Sequence, residues 1–93
     1  MKPDDAEHIA NKAGSLGLRV ALEIERSHEL GKEWPILVYS AMADRLRVDV
    51  DELRAAVSRL VYWYILRRPA VGGWPRVQLI GYSQEENRAL RRS

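Results

Sequence analysis

The chain contains no cysteine. That excludes a disulfide framework, thiolate nucleophiles and any zinc site built on thiolates. Its two histidines, His8 and His28, lie twenty residues apart with no second ligand at i+4, so a histidine metal site is not expected, and His28 reads as an exposed helix residue. Gly72-Gly73 lacks the Lys-Ser or Lys-Thr that a phosphate-cradling loop requires. Asp49, Asp51 and Glu52 would suit a cation, but they stand at a helix start, where carboxylates ordinarily act as caps. No catalytic residue, metal or cofactor is therefore expected, and the chain does not read as an enzyme. It also lacks an apolar run long enough to span a bilayer, and Lys2 is followed by polar residues rather than a signal peptide's apolar stretch. The expectation is a cytoplasmic, nucleoid-associated protein with no membrane partner. Internal repeats and low-complexity segments are absent too.

The residues present are enough for one domain. Ninety-three residues, 46% of them apolar, make a globular unit with a modest core, to which a second subunit can add stability. Net charge is only +2, yet it is unevenly placed. Residues 1–33 carry five basic and seven acidic side chains; residues 34–93 carry ten arginines against six acids. A basic half of this kind suits phosphate binding, with a merely solvated face as the alternative.

Hydrophobic spacing divides the chain into an N-terminal helical region (1–31), two helices (35–64), a hairpin (65–82) and a short tail helix (83–93). Pro3-Asp4-Asp5 starts the first helix, with Ile9 and Ala13 on its apolar side. Gly14-Ser15 either breaks it or is run through. Leu16, Val20, Ala21 and Ile24 then form one stripe, Leu18 and Leu22 a second, and Gly31 ends the run. A helix apolar on two sides touches its own core and either more of that core or the same helix of a second subunit. Ile36–Val38 reads either as a short strand beside the hairpin or, the preferred reading, as part of a helix opening near Pro35 or Ile36.

From Ser40 the pattern sharpens. Met42, Ala43 and Leu46, with Tyr39 a turn earlier, close one face. Leu53, Ala56, Val57, Leu60 and Tyr64 recur at spacings of three and four. Between the two stretches, Val48 can plug the core, Asp49 can cap the second helix, and Glu52 completes a box-like pair. Pro69 and Gly72-Gly73 end the helical pattern, and Arg76–Tyr82 has strand composition, with Val77, Leu79 and Gly81 on one side. Ser83-x-x-Glu86 is a capping box for the tail helix, whose basic end holds Arg88, Arg91 and Arg92.

Ala43-x-x-Leu46-x-Val48, then Leu53-x-x-x-Val57-x-x-Leu60, then Ile65-Leu66-x-Arg68 resembles the winged helix-turn-helix family of DNA-binding domains, as in MarR- and PadR-type regulators. The likeness covers about half the chain and lies mostly at core positions. Where the family has Gly or a small residue before the first wing strand, this chain has Trp63-Tyr64. The resemblance implies a mainly α fold with a small β-hairpin, whose second helix enters the major groove. Arg54 is then placed for a bidentate guanine contact. Small Ala55 permits close approach, and Ser58 and Arg59 reach base or phosphate. Arg45 and Arg47 are placed for backbone phosphates. On the hairpin, Arg67, Arg68 and Arg76 flank a tip where Trp74 packs on a sugar or lids its own strands.

Double-stranded DNA is accordingly the expected partner. A homodimer is expected as well, through Leu18 and Leu22 on the first helix and Tyr62 and Trp63 in the aromatic cluster. A small transcriptional regulator is the leading role. A DNA-coating or plasmid-partition protein that spreads on DNA is its close variant. A protein-interaction module using the acidic helix start and the aromatic cluster is a third class. A ribosomal winged-helix protein is a fourth: Asp44-Arg45-Leu46 and Val77-Gln78-Leu79-Ile80 look like one small-subunit protein of archaea and eukaryotes. Against it stand the low net charge and the absence of a Lys-rich tail. Asp49, Asp51 and Glu52 also oppose deep base reading, because acids at a helix front repel phosphate.

Overall fold

A computed structural model describes residues 1–31, 34–67, 76–80 and 84–92. The chain is mainly helical with a small antiparallel sheet. In order come α1 (Pro3–Gly31), α2 (Tyr39–Leu46), α3 (Val50–Tyr62), β1 (Leu66–Arg67), β2 (Gln78–Leu79) and α4 (Gln84–Arg92). Among the described residues no helix is long and apolar enough to cross a membrane.

α1 breaks where the sequence leaves the question open. Gly14 sits at φ 78°, ψ 177°, a region essentially closed to any residue with a Cβ. The segments on either side fold back on one another, for the Met1 ammonium meets Glu25 at 3.1 Å. At the bend Gly17 is buried, and a methyl group on it would run into the Ala13 methyl. Ile9 and Ala13 of the first segment and Val20, Ala21 and Ile24 of the second all enter the core.

α3 lies under α1 and presents the expected stripe, Leu53, Ala56, Val57 and Leu60, all buried. Burying each large side chain of this kind contributes about 1.5–3 kcal/mol. Met42, Ala43 and Leu46 of α2 close the same core, as do Ile65, Leu66, Val77 and Leu79.

The turn between α2 and α3 is built by the chain reversing through a left-handed residue. Arg47 has φ 56°, ψ 49°. Its N–H donates to the Asp44 carbonyl at 3.3 Å, and the Val48 N–H donates to Ala43 at 3.0 Å. This is a Schellman closure, with Val48 as its apolar member half-buried against the core. Asp49 is the N-cap residue of α3, but its side chain makes no capping hydrogen bond, so the expected reciprocal box is not formed.

α3 ends in the same way, and Tyr64 departs from its expected place on the buried stripe. Tyr64 takes φ 58°. Its N–H donates to Val61 at 3.1 Å, and that of Ile65 to Leu60 at 2.9 Å. The reversal turns Ile65 into the core and leaves Tyr64 49% exposed. Tyr64 is therefore not the next member of the buried stripe; Ile65 takes that place.

β1 and β2 pair antiparallel, Leu66 opposite Leu79 and Arg67 opposite Gln78. Val77 and Leu79 face the core as expected. Before α2, Ile36 bridges Arg76, and the Val77 N–H donates to the Pro35 carbonyl at 3.0 Å. The 35–38 stretch is thus extended beside the sheet, and α2 begins at Tyr39 instead of near Pro35 or Ile36. Pairing with residues 76 and 77 gives this backbone partners that a helix would have withheld. The expected Gly-Gly turn, Gly81 and the Ser83 cap lie outside the described residues.

Candidate nucleic-acid interface

With one side of α3 sealed beneath α1, its opposite side is open. Asp51, Arg54, Ala55, Ser58, Arg59 and Tyr62 are all exposed. Helical spacing puts Asp51, Ala55, Ser58 and Tyr62 along the central ridge, with Arg54 and Arg59 on opposite flanks. Contacts follow that divergence. The Arg54 guanidinium lies 5.2 Å from the centre of the Tyr39 ring on α2. Arg59 reaches toward α1, where its Nη1 lies 3.9 Å from the position a Cβ on Gly14 would occupy. The central ridge is therefore small-sided only at Ala55 and Ser58, with Tyr62 standing at its C-terminal end, a cation on each side, and Asp49, Asp51 and Glu52 exposed at its leading end.

The remaining sequence-derived candidates are distributed unevenly around this ridge. Arg47 is exposed at the α2–α3 turn. Arg45 is more constrained: its Nε pairs with Glu23 of α1 at 3.1 Å, although 55% of its side chain stays exposed. Arg19 ties the same helices together, donating to the Leu46 carbonyl at 2.6 Å. Arg67 is exposed on β1. Arg76 is half-buried and its Nη1 donates to the Trp34 carbonyl at 2.5 Å, so this guanidinium helps hold the extended 34–36 stretch to the sheet. Arg68 and Trp74 lie outside the described residues.

The candidate dimer residues fall into two kinds. Tyr62 is 73% exposed and Leu22 41% exposed. Leu18 and Trp63 are half-buried against the chain's own core. Trp63 is also flanked by two cations: Lys12 Nζ lies 4.6 Å and the Arg91 guanidinium carbon 4.7 Å from its ring. Its carbonyl accepts from Asn87 Nδ2. Tyr62 packs edge-on to the Trp63 ring, 5.3 Å between centroids.

That flank holds functional candidates the sequence reading does not assign. α4 packs on the first segment of α1, and the seam brings Lys12, Asn87, Arg88 and Arg91 together beside His8. His8 is only 8% exposed, and its Nε2 has no hydrogen-bond partner among the described residues. Burial lowers its pKa below 6.5; Lys12 and Arg91 push the same way, against Asp5 and the Asn87 side chain. The basic residues of α4 are visible at helical spacing, but nothing local announces that Lys12 lies across from them.

His28 also departs from expectation. It is half-buried and stacks on Trp34, the rings 3.8 Å apart and 5° from parallel. A neighbouring aromatic beyond the helix end supplies the cover that helix periodicity alone does not reveal. Among the described residues no group of three or more His, Asp or Glu side chains is placed to hold a metal ion. Comparison of the chain with protein-family models, curated proteins and solved structures gives no match.

Proposed function

We propose that this chain is a winged helix-turn-helix protein that binds double-stranded DNA as a homodimer and acts as a small transcriptional regulator. The observation that carries the reading is the open ridge of α3. Its reverse side is locked into the core by Leu53, Val57 and Leu60, while Ala55 and Ser58 stand clear between Arg54 and Arg59. Small side chains on an exposed helix with arginine on both margins suit a major groove, where phosphates run along both edges. Two further features support it. Arg47 projects at the turn before α3, and Arg67 stands on a sheet directly after it, as a wing would. The Ile36–Arg76 bridge adds an extended segment ahead of α2, giving strand, helix, turn, helix, two strands. Exposed Leu22 on α1, and Tyr62 at the far end of the α3 ridge beyond Ala55 and Ser58, supply apolar surface for a second copy.

The acids at the front of α3 favour a second reading within the same class. Asp49, Asp51 and Glu52 oppose phosphates at the helix end that would enter the groove first. Binding led by the backbone, as in a DNA-coating or partition protein, tolerates that better than deep base reading does.

Titration with a random duplex and with the DNA flanking its own gene, across a salt series, separates these. Phosphate contacts give a log–log slope of about −0.9 per contact. A discrete preference for the flanking DNA supports the regulator. Equal and cooperative binding to both supports the coating protein. No binding at low salt removes both. Arg54→Ala tests the helix assignment: a loss of about 1–3 kcal/mol at one base position is expected, and unchanged affinity and preference would place recognition elsewhere.

A further inference from the structure

We propose that the cleft between the first segment of α1 and α4, bounded by Lys12, Arg88 and Arg91, binds a phosphate-class oxyanion. The cleft measures about 220 Å³ and, among the described residues, is lined by His8, Lys12, Asn87, Arg88 and Arg91, none of them a carboxylate. Two of its cations share a support as well as the cleft, since Lys12 and Arg91 each sit within 5 Å of the Trp63 ring centre. Like charges so placed repel one another, and among the described residues neither has a carboxylate within ion-pair distance to offset this. An oxyanion seated between them removes the repulsion and accepts charge-assisted hydrogen bonds from all three side chains.

The surroundings narrow the ligand. Asn87 is 1% exposed and is held by the Trp63 carbonyl, so one wall of the cleft is fixed. His8 is buried alongside, its Nε2 without a partner among the described residues, and an anion nearby would favour its charged form. Asp4 and Glu7 line an adjoining cleft with His8, Asn11 and Lys12; they disfavour an extended polyanion running along α1 and favour a single compact group. Such a group has two sources, a free phosphate or one phosphate of a nucleic-acid backbone. The proposal does not depend on α3 binding DNA.

Inorganic phosphate is the probe, titrated into the whole chain near neutral pH with sodium chloride controls at matched ionic strength. Ring resonances of His8 and the indole N–H of Trp63 are followed by NMR, with the indole of Trp34 as the internal control. Saturable shifts at His8 and Trp63, with Trp34 unmoved, are expected. The Lys12→Gln/Arg91→Gln pair should weaken binding by about tenfold or more, the worth of one charged hydrogen bond or better. Lys12→Arg should restore it. Because that pair also touches Trp63, Arg88→Gln provides the variant with no ring contact to lose; it should weaken phosphate binding while the α4 resonances stay in place.

Shifts that merely track ionic strength, or that survive in both glutamine variants, overturn the proposal. Duplex DNA that moves the same resonances and competes with phosphate identifies a backbone phosphate as the source. Phosphate binding untouched by DNA identifies a free phosphate. DNA binding that depends on Arg54, with no phosphate response at His8 or Trp63, overturns this site and leaves the DNA reading standing. A phosphate response without DNA binding does the reverse.

Discussion

Replacing Arg47 with glycine should move stability and DNA affinity in opposite directions. Arg47 is the left-handed residue of the closure that ends α2, a position that glycine usually fills. Holding a residue with a Cβ there costs roughly 1–2 kcal/mol. Glycine escapes that strain but has more backbone freedom to lose on folding, roughly 0.5–1 kcal/mol. The Arg47 side chain is exposed, and the closure's hydrogen bonds come from the backbone N–H groups of residues 47 and 48, so glycine forfeits little in the folded state. The net gain is about 0–1.5 kcal/mol; the middle of that range, about 0.75 kcal/mol, raises Tm by roughly 3–6 °C in a chain of this length.

If the same guanidinium also meets a phosphate, Arg47→Gly should lower duplex affinity and reduce the salt slope by about 0.9. Chemical denaturation and a salt-resolved binding titration on one preparation read both quantities. Increased stability with unchanged binding would remove Arg47 from the interface. Decreased stability would refute the backbone reasoning itself, because the left-handed strain would then not be what this position costs.

Other perturbations test separate links. Tyr64→Gly relieves the same strain at the end of α3 but gives up a half-covered ring, worth roughly 1 kcal/mol, so the gain expected for Arg47→Gly should be cancelled or reversed; urea midpoints compare the two. Gly17→Ala would ordinarily favour a helix by about 1 kcal/mol. Here the added methyl meets that of Ala13 across the bend, and a loss of about 1–3 kcal/mol is expected instead; a stabilised variant would mean that the two segments of α1 do not close as described. His8 has its folded pKa depressed mainly by burial, so the unfolded chain binds the proton more readily. Its contribution to stability is fully present above 6.5 and is lost as pH falls from there through the lowered folded value. Thermal melts across that window should show the decline in the parent and a flatter profile in His8→Gln.

Much of the architecture is legible because local spacing and burial coincide. Leu53, Ala56, Val57 and Leu60 recur on one side of α3, and that side is what α1 covers. Val77 and Leu79 alternate on a strand, and both face the core. Errors arise where direction changes. Tyr64 stands four residues after Leu60, the spacing of a continuing stripe, but the left-handed turn at Tyr64 hands the core position to Ile65. For residues 35–38 a strand beside the hairpin and a helix both fit the local sequence, and the preferred helix fails because the segment that pairs with them lies about forty residues later in the chain. Distant partners also explain the mixed outcome at the candidate site. Arg54 and Arg59 are exposed as helix spacing implies and Arg47 is exposed at the turn, whereas Glu23 restrains Arg45 and the Trp34 carbonyl engages Arg76. Gly14 shows the limit from another side. The residue type permits a break, but only its φ of 78° distinguishes a fold-back from a continuous helix.

The placement of charge around α3 bears on how DNA recognition would be divided. Arg54 leans toward Tyr39 on one flank and Arg59 toward Gly14 on the other, while the ridge between them carries Asp51, Ala55, Ser58 and Tyr62. The two cations cannot both address the floor of one groove without leaving these positions. One arginine reading a base and the other meeting a phosphate fits their separation better. Ala55 and Ser58 are too short to compensate with long-range contacts, and Asp51 can accept only from a donor such as the cytosine amino group. Sequence preference should therefore be shallow, one or two positions strong and the rest nearly neutral. Affinity should depend more on Arg47, Arg67 and whichever arginine of α3 meets the backbone. A site-by-site competition series with Arg54→Ala and Arg59→Ala distinguishes the roles: the base-reading variant should flatten preference at one position, and the phosphate-binding variant should weaken all sequences alike. Equal losses at every position from both would assign α3 to backbone binding and favour the coating protein over the regulator.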